Sequence, residues 1–189
     1  MRKLKLQSQV TVNGFIARSN GEQDWMVWNW DDDLKSFANA VHKDVDTILL
    51  GRKMSEDFLP YWNDVYDNKP NDQEHEFSKL MVETPKVIFS KTLDKTEWMN
   101  TSIANGDLVE EINKLKSKKG KDMIVYGGSN FVTNLIKENL IDEYILFVNP
   151  VAIDKGLTIF SLVGDQMKFE LLESKSFKCG IVVLKYKVA

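Results

Sequence analysis

Short apolar runs alternating with helical patterns restrict what this chain can fold into. "TILLG" (47–51), "KVIFS" (86–90) and "MIVYGG" (123–128) are each apolar at nearly every position, and "IDEYILFVNPVAI" (141–153) carries a longer run of the same kind. A strand without polar alternation is buried on both faces, and such strands occur in parallel sheets covered by helices on each side. Between them lie helical patterns. "DDDLKSFANAVHK" (31–43) places Leu34, Phe37, Ala38 and Val41 at helical spacing, "RKMSEDFLPYW" follows the glycine of the first run, and residues 107–117 and "SNFVTNLIKENL" repeat the period. "KFELLESKSF" and "GIVVLKYKV" read as two strands turning around Lys178–Gly180, an antiparallel hairpin. The expected fold is α/β: a three-layer αβα arrangement over residues 1–189, with a mostly parallel central sheet and an antiparallel C-terminal hairpin. Residues 3–12, "KLKLQSQVTV", alternate and are expected to form a half-buried strand; residues 60–85 are polar and fit either helix or a mobile insertion.

A length of 189 residues with 43% hydrophobic content suffices for one domain with a full core. Net charge is −3 and the cations are scattered, so no basic stripe points to nucleic acid; "KLKSKKGK" (114–121) reads as a solvated helix end. No apolar run is long enough to span a membrane, and no apolar leader opens the chain. The single cysteine, Cys179, allows neither an intramolecular disulfide nor a thiolate cluster, which agrees with a reducing, cytoplasmic setting. His42 and His75 lack a ligand partner in sequence, so no metal site is expected.

Sites in open α/β sheets gather at the carboxyl ends of strands. Three such ends here pair glycine with polar backbone or a helix start: Asn13-Gly14 in "TVNGFIA", Gly51-Arg52, and Gly127-Gly128-Ser129-Asn130. A cation in a first helical turn opposes the helix dipole, so Arg52 makes better sense with an anion beside it. Ser90-Lys91-Thr92 supplies hydroxyls and an ammonium at another strand end. The G-x-G-x-x-G, G-x-x-x-x-G-K-[ST] and G-x-S-x-G patterns are all missing, which excludes the usual dinucleotide fingerprint, the P-loop and the hydrolase elbow.

"WMVWNWDDDLKSF" (25–37) sets three tryptophans within six positions beside three consecutive aspartates. Asp31 and Asp32 read as a solvated helix start. Asp33 shares a helical face with Phe37 and Ala40–Val41, so it is the acid expected to turn inward, lidded by Trp28 or Trp30. Burial there would raise its pKa and suit it to proton transfer.

The order of these features resembles the dihydrofolate reductase-like fold, and within it the riboflavin-biosynthesis reductase branch. Trp28-Asn29-Trp30-Asp31-Asp32-Asp33 is similar to the segment that opens the helix carrying that family's catalytic carboxylate. "TILLGRKM", "VIFSK", "IVYGGSNFV" and "ILFVNPVAIDKGLTIF" then match the family's later marks in order, over residues 4–188 or so. "TVNGFIA" resembles the Ser-x-Asp-Gly-x-Ile-Ala opening of the riboflavin branch. The chain departs where the folate enzymes place a threonine on the long strand, a position whose register falls on Val148, and where Lys53-Met54 follows Gly51-Arg52 without a hydroxyl.

The resemblance implies NADPH held in an extended pose. Gly51, Arg52 and Lys53, with Ser90 or Lys91, would meet the 2′-phosphate region. Tyr126 and the Gly127-Gly128 turn, a peptide often cis in this fold, would hold the pyrophosphate together with Ser129, Asn130, Phe131 and Val132. Val12, Asn13, Gly14, Ile16 and Ala17 would cover the nicotinamide. Asp33 would be catalytic, Trp28 and Trp30 would stack on a small heterocyclic substrate, and Phe37 would pack the pocket wall. The riboflavin branch commonly dimerises, and residues Ile181–Leu184 offer an apolar face or edge for a homodimer. The implied function is an NADPH-dependent reductase of the 5-amino-6-(5-phosphoribosylamino)uracil reductase type; the alternatives are a divergent dihydrofolate reductase and a non-catalytic nucleotide-binding protein on the same scaffold.

Overall fold

The computed structural model describes every residue of the chain except Gln73. Eight strands form one sheet. In chain order these are β1 (Leu4–Thr11), β2 (Val45–Gly51), β3 (Lys86–Phe89), β4 (Thr101–Ala104), β5 (Asp122–Val125), β6 (Glu143–Asn149), β7 (Phe169–Ser176) and β8 (Val182–Val188). Their spatial order is β4-β3-β2-β5-β1-β6-β8-β7, with every pairing from β4 through β6 parallel and β8 antiparallel to both β6 and β7. Helices α1 (Asp32–His42), α2 (Arg52–Asn68), α3 (His75–Glu83), α4 (Leu108–Ser117) and α5 (Ser129–Lys137) connect them. The expected mostly parallel sheet with an antiparallel C-terminal pair is what forms.

The apolar strands bury both faces because consecutive side chains point to opposite sides. Leu49, Val125 and Tyr144 join a core beneath α4 and α5, while Ile48, Ile124, Ile145 and Phe147 pack under α1, α2 and α3 on the other side. Ile181 and Val183 are buried in that second side and β8 is paired on both edges, so residues 181–184 offer no free edge, while Val182 on the opposite face stays exposed.

Three expectations change. β1 is not half-buried: it is the central strand between β5 and β6, and seven of its eight residues are buried. Its polar alternation belongs to one face, carrying Lys5, Gln7, Gln9 and Thr11. Residues 60–85 are helical over most of their length, in α2 and α3, although Gln73 lies outside the described residues. The fully buried Lys86 donates from Nζ to the carbonyls of Met81, Val82 and Thr84 at 2.7–3.0 Å, closing the C-terminus of α3 where orphan carbonyls need donors. β4, whose four residues show no apolar run, was not foreseen.

Candidate functional site

β1 pairs with β5 only from Leu4 to Leu6, but pairs with β6 from Lys5 to Thr11. Beyond Leu6 its β5 side is unpaired, and a cleft opens there among the carboxyl ends of β1, β2 and β5. Crossovers leave in opposite directions at this point, where ligands of open α/β sheets bind. The cleft encloses about 1400 Å³, more than the few hundred to a thousand typical of a single small-ligand pocket.

One end of the cleft is built for an anion. Gly128 adopts φ +82° at the N-cap of α5 and places no side chain over the helix end, and the first amide to bond back into the helix is that of Val132, to Gly128 O at 2.9 Å. Gly51 caps α2, also without a side-chain cap. A Cβ on Gly51 would lie 2.8 Å from Cβ of Phe131, so glycine is what lets β2 end against the first turn of α5. The remaining helices differ. Asp31 and Asp107 cap α1 and α4 with their carboxylates, and those helices carry Asp32, Asp33, Glu110 and Glu111 in their first turns; α3 carries Glu76. Among the described residues, α2 and α5 alone start with neither a side-chain cap nor an acid. Two unneutralised helix N-termini facing one cleft form a site for negative charge.

Cations reinforce it. Arg52, Lys53 and Lys91 line the same end with Ser90. Arg52 pairs with Glu56 one turn along α2, and Lys91 donates to Asn105 O at 3.1 Å. Ser90 Oγ accepts the amides of Thr92 and Leu93 at 3.1 and 3.0 Å, folding the loop after β3. Tyr126, Gly127, Gly128, Ser129, Asn130 and Phe131 also border the cleft, whereas Val132 is fully buried in the core beneath α5. The Gly127–Gly128 peptide is trans, not the expected cis.

The 11–17 loop is fixed by its neighbours. Val12 N donates to Val151 O and Ile16 N to Leu157 O, both at 2.8 Å, while Asn13 Nδ2 donates to Ile153 O at 2.7 Å. Gly14, at φ +84°, turns the chain, and Ile16 and Ala17 reach the cleft; Val12, Asn13 and Gly14 hold the loop without lining it.

The other end of the cleft is aromatic. Rings of His42, Tyr126, Phe58, Trp62 and Phe77 form a closed circuit, with successive centroids 5.7, 5.8, 6.1, 5.3 and 5.3 Å apart. Tyr126 Oη lies 2.7 Å from His42 Nε2. Burial, aided by the charge of Lys5, pushes the His42 pKa down to about 4, so the ring is neutral at pH 7. Trp28 and Trp30 line the cleft as expected; Trp30 stacks on Phe147 and is fixed by its Nε1 donating to Val27 O at 2.8 Å.

Asp33 corrects the sequence reading. The buried stripe of α1 is Leu34, Ala38 and His42, a four-residue repeat that leaves Asp33 one position out of phase, exposed and away from the cleft lining. Phe37, also out of phase, does not line the cleft either: it packs edge-on against Phe147 and Phe177. Asp31 does more than begin a solvated turn, since its carboxylate accepts both Leu34 N at 2.9 Å and Cys179 N at 3.2 Å, tying α1 to the C-terminal hairpin. Val148 packs on the α5 side; its neighbour Asn149 faces α1, accepting Val27 N at 2.9 Å and donating to Gln9 Oε1 at 2.7 Å. Lining residues missed by the sequence reading include Gln7 and Gln9 on β1, Lys35 and Asn39 on α1, and Phe58, Tyr61 and Trp62 on α2. The alternation of β1 and the i, i+3, i+4 spacing of the α2 aromatics were their signals.

Known proteins resemble this chain in sequence and fold. The chain is 34% identical over 186 residues to the uncharacterized protein YyaP of Bacillus subtilis (strain 168), covering 98% of this chain and 94% of that one. A putative riboflavin biosynthesis protein from Shewanella sp. PV-4 shares the fold, with a TM-score of 0.73 at 20% identity over 100% of this chain and 99% of that chain. So does the diaminohydroxyphosphoribosylaminopyrimidine deaminase/5-amino-6-(5-phosphoribosylamino)uracil reductase of Thermotoga maritima, with a TM-score of 0.69 at 17% identity, where this chain spans 57% of that one. The family profile described as RibD C-terminal domain matches residues 2–183, and the chain belongs to that family.

Proposed function

We propose that this chain is an NADPH-dependent reductase of a small heterocyclic substrate, of the class to which the reductase half of the Thermotoga maritima protein belongs. The observation that carries the reading is the contrast in helix starts: α2 and α5 present bare N-termini to one cleft while α1 and α4 are neutralised by aspartate caps. The residues present fit the cofactor. Amides in the first turn of α5, from Ser129 to Phe131, would hold the pyrophosphate, and Arg52, Lys53 and Lys91 with the Ser90 hydroxyl would hold the 2′-phosphate. Ile16 and Ala17 would border the nicotinamide. When bound there, NADPH supplies the hydride.

The protein's own part is to bind, orient and exclude water. Trp28 and Trp30 close one side of the reaction space. Tyr126, hydrogen-bonded to His42 Nε2, presents its hydroxyl to the ligand. Asp33 has no role in this arrangement, because its carboxylate does not reach the cleft.

A thermal-shift titration tests the reading. At about a hundred times its Kd, a ligand of the native state adds roughly 2.7 kcal/mol, which for a chain of this size is a rise in Tm of about 5–10 °C. NADPH is expected to give this rise and NADH a smaller one at equal concentration. No response to NADPH would overturn the proposal.

A further inference from the structure

We infer that Met54 is a methionine-oxidation site whose sulfoxide closes the anion-binding end of the cleft; this rests on the placement proposed for the pyrophosphate. Position is the first observation. Met54 stands in the first turn of α2, half-buried and lining the cleft. Its Sδ lies 3.9 and 3.8 Å from the points where side chains at Gly127 and Gly128 would begin, and its Cβ lies 3.5 Å from the second of them. The thioether therefore fills the space over the glycine turn before α5, a helix that starts with neither a side-chain cap nor an acid.

Selectivity among the seven methionines is the second observation. Met1 and Met99 are 98% and 52% exposed but lie outside the cleft lining, so their oxidation leaves it unchanged. Met81 and Met123 are fully buried, out of an oxidant's reach. Met167 Sδ accepts the Tyr144 hydroxyl at 3.8 Å, away from the cleft. Met26 and Met54 are the partly exposed methionines that border it, and of the two only Met54 meets the Gly127–Gly128 turn.

The oxidant is a peroxide. A lone pair of Sδ attacks one peroxide oxygen, the O–O bond breaks, and the departing hydroxide takes the proton of the sulfur-bound hydroxyl and leaves as water. Sulfur is oxidised by two electrons and the peroxide is reduced by two, so an apolar thioether becomes a polar sulfoxide. The sulfoxide oxygen is a strong acceptor set beside unpaired N–H donors and the positive end of a helix dipole. It takes the place of a phosphate oxygen there. A thiol-dependent sulfoxide reductase reverses the step.

The full-length protein is treated with hydrogen peroxide, then with dithiothreitol to reset its one thiol, Cys179. Peptide mass spectrometry locates the sulfoxides, and calorimetry measures NADPH and inorganic pyrophosphate binding before and after. Oxidation of Met54 should weaken both ligands roughly tenfold or more, the worth of one charge-assisted hydrogen bond, while the melting transition is retained. Methionine sulfoxide reductases with a thiol should restore the affinity. Met54→Leu should hold its own NADPH affinity through the same treatment, whereas Met26→Leu should lose it as the parent does. Met54 left unoxidised while Met99 is converted, affinity unmoved by the sulfoxide, equal loss in Met54→Leu, or loss only together with the melting transition overturns the inference. An untreated protein that binds pyrophosphate but not NADPH, and loses pyrophosphate on oxidation, retains the inference and overturns the cofactor reading. NADPH binding untouched by Met54 oxidation does the reverse, and binding of neither ligand before treatment overturns both.

Discussion

Asn130→Asp separates the anion-site account from a merely structural one, because its two effects have opposite signs. Asn130 is the second residue of α5, exposed and bordering the cleft, and the change is nearly isosteric. Its carbonyl and Oδ1 already accept from Asn134 Nδ2, which the new carboxylate also can do. In the free protein, a negative charge in an acid-free first turn meets the positive end of the helix dipole and should stabilise by about 0.3–1 kcal/mol, a Tm rise of roughly 1–4 °C. The same charge repels a phosphate bound at those amides. At a separation of roughly 6 Å and an effective dielectric between 20 and 80, the repulsion is about 1–3 kcal/mol per charge, weakening NADPH by some 5- to 150-fold. Calorimetry of the free protein and titration with NADPH at low salt read the two effects, and the second should shrink as salt screens it. A higher Tm with unchanged NADPH affinity would refute the placement of the pyrophosphate at α5. A lower Tm would refute the dipole argument beneath it.

Acid should weaken the fold through His42. Its folded pKa of about 4 lies below the unfolded value near 6.5, so the unfolded chain binds the extra proton between those limits. Stability is complete above about pH 6.5 and declines by about 3 kcal/mol as pH falls toward 4. His42→Phe should flatten that stretch of the Tm–pH curve even though it also strands the Tyr126 hydroxyl; an unchanged slope would contradict the assignment. Asp33→Asn should keep NADPH affinity and turnover within about twofold, since the carboxylate stands outside the cleft, and a large loss of turnover would restore Asp33 to the chemistry.

The architecture was legible because periodicity and burial coincide in this chain. The apolar runs at 47–51, 86–90 and 123–128 became parallel strands flanked by helices, and Lys178–Gly180 became the turn of the C-terminal pair. The glycine-rich end of the cleft was readable for a related reason: glycine beside a helix start is a local signal, and Gly51 and Gly128 are needed for reasons that local geometry states. The substrate end was hidden where one signal had two meanings. Alternation in β1 reads as a solvent-facing strand, yet here its polar face turns toward a cleft inside the molecule. The phase of α1 was off by one residue, enough to turn Asp33 from the interior to solvent. Tyr61 and Trp62 sat in a stretch whose polar composition masked its aromatic stripe. Such residues become visible only once the register of β1 against β5 and β6 shows where the sheet opens.

Tryptophan fluorescence offers the most direct test of the cofactor cleft, because Trp28, Trp30 and Trp62 all line it. NADPH bound there should accept energy from these indoles, giving saturable nicotinamide emission with matching tryptophan quenching. Charge-assisted contacts to a 2′-phosphate are each worth more than the 1.4 kcal/mol that makes a factor of ten, so NADH should need a roughly tenfold higher concentration or more. No transfer from tryptophan to NADPH, or equal titration by NADH, would contradict the account.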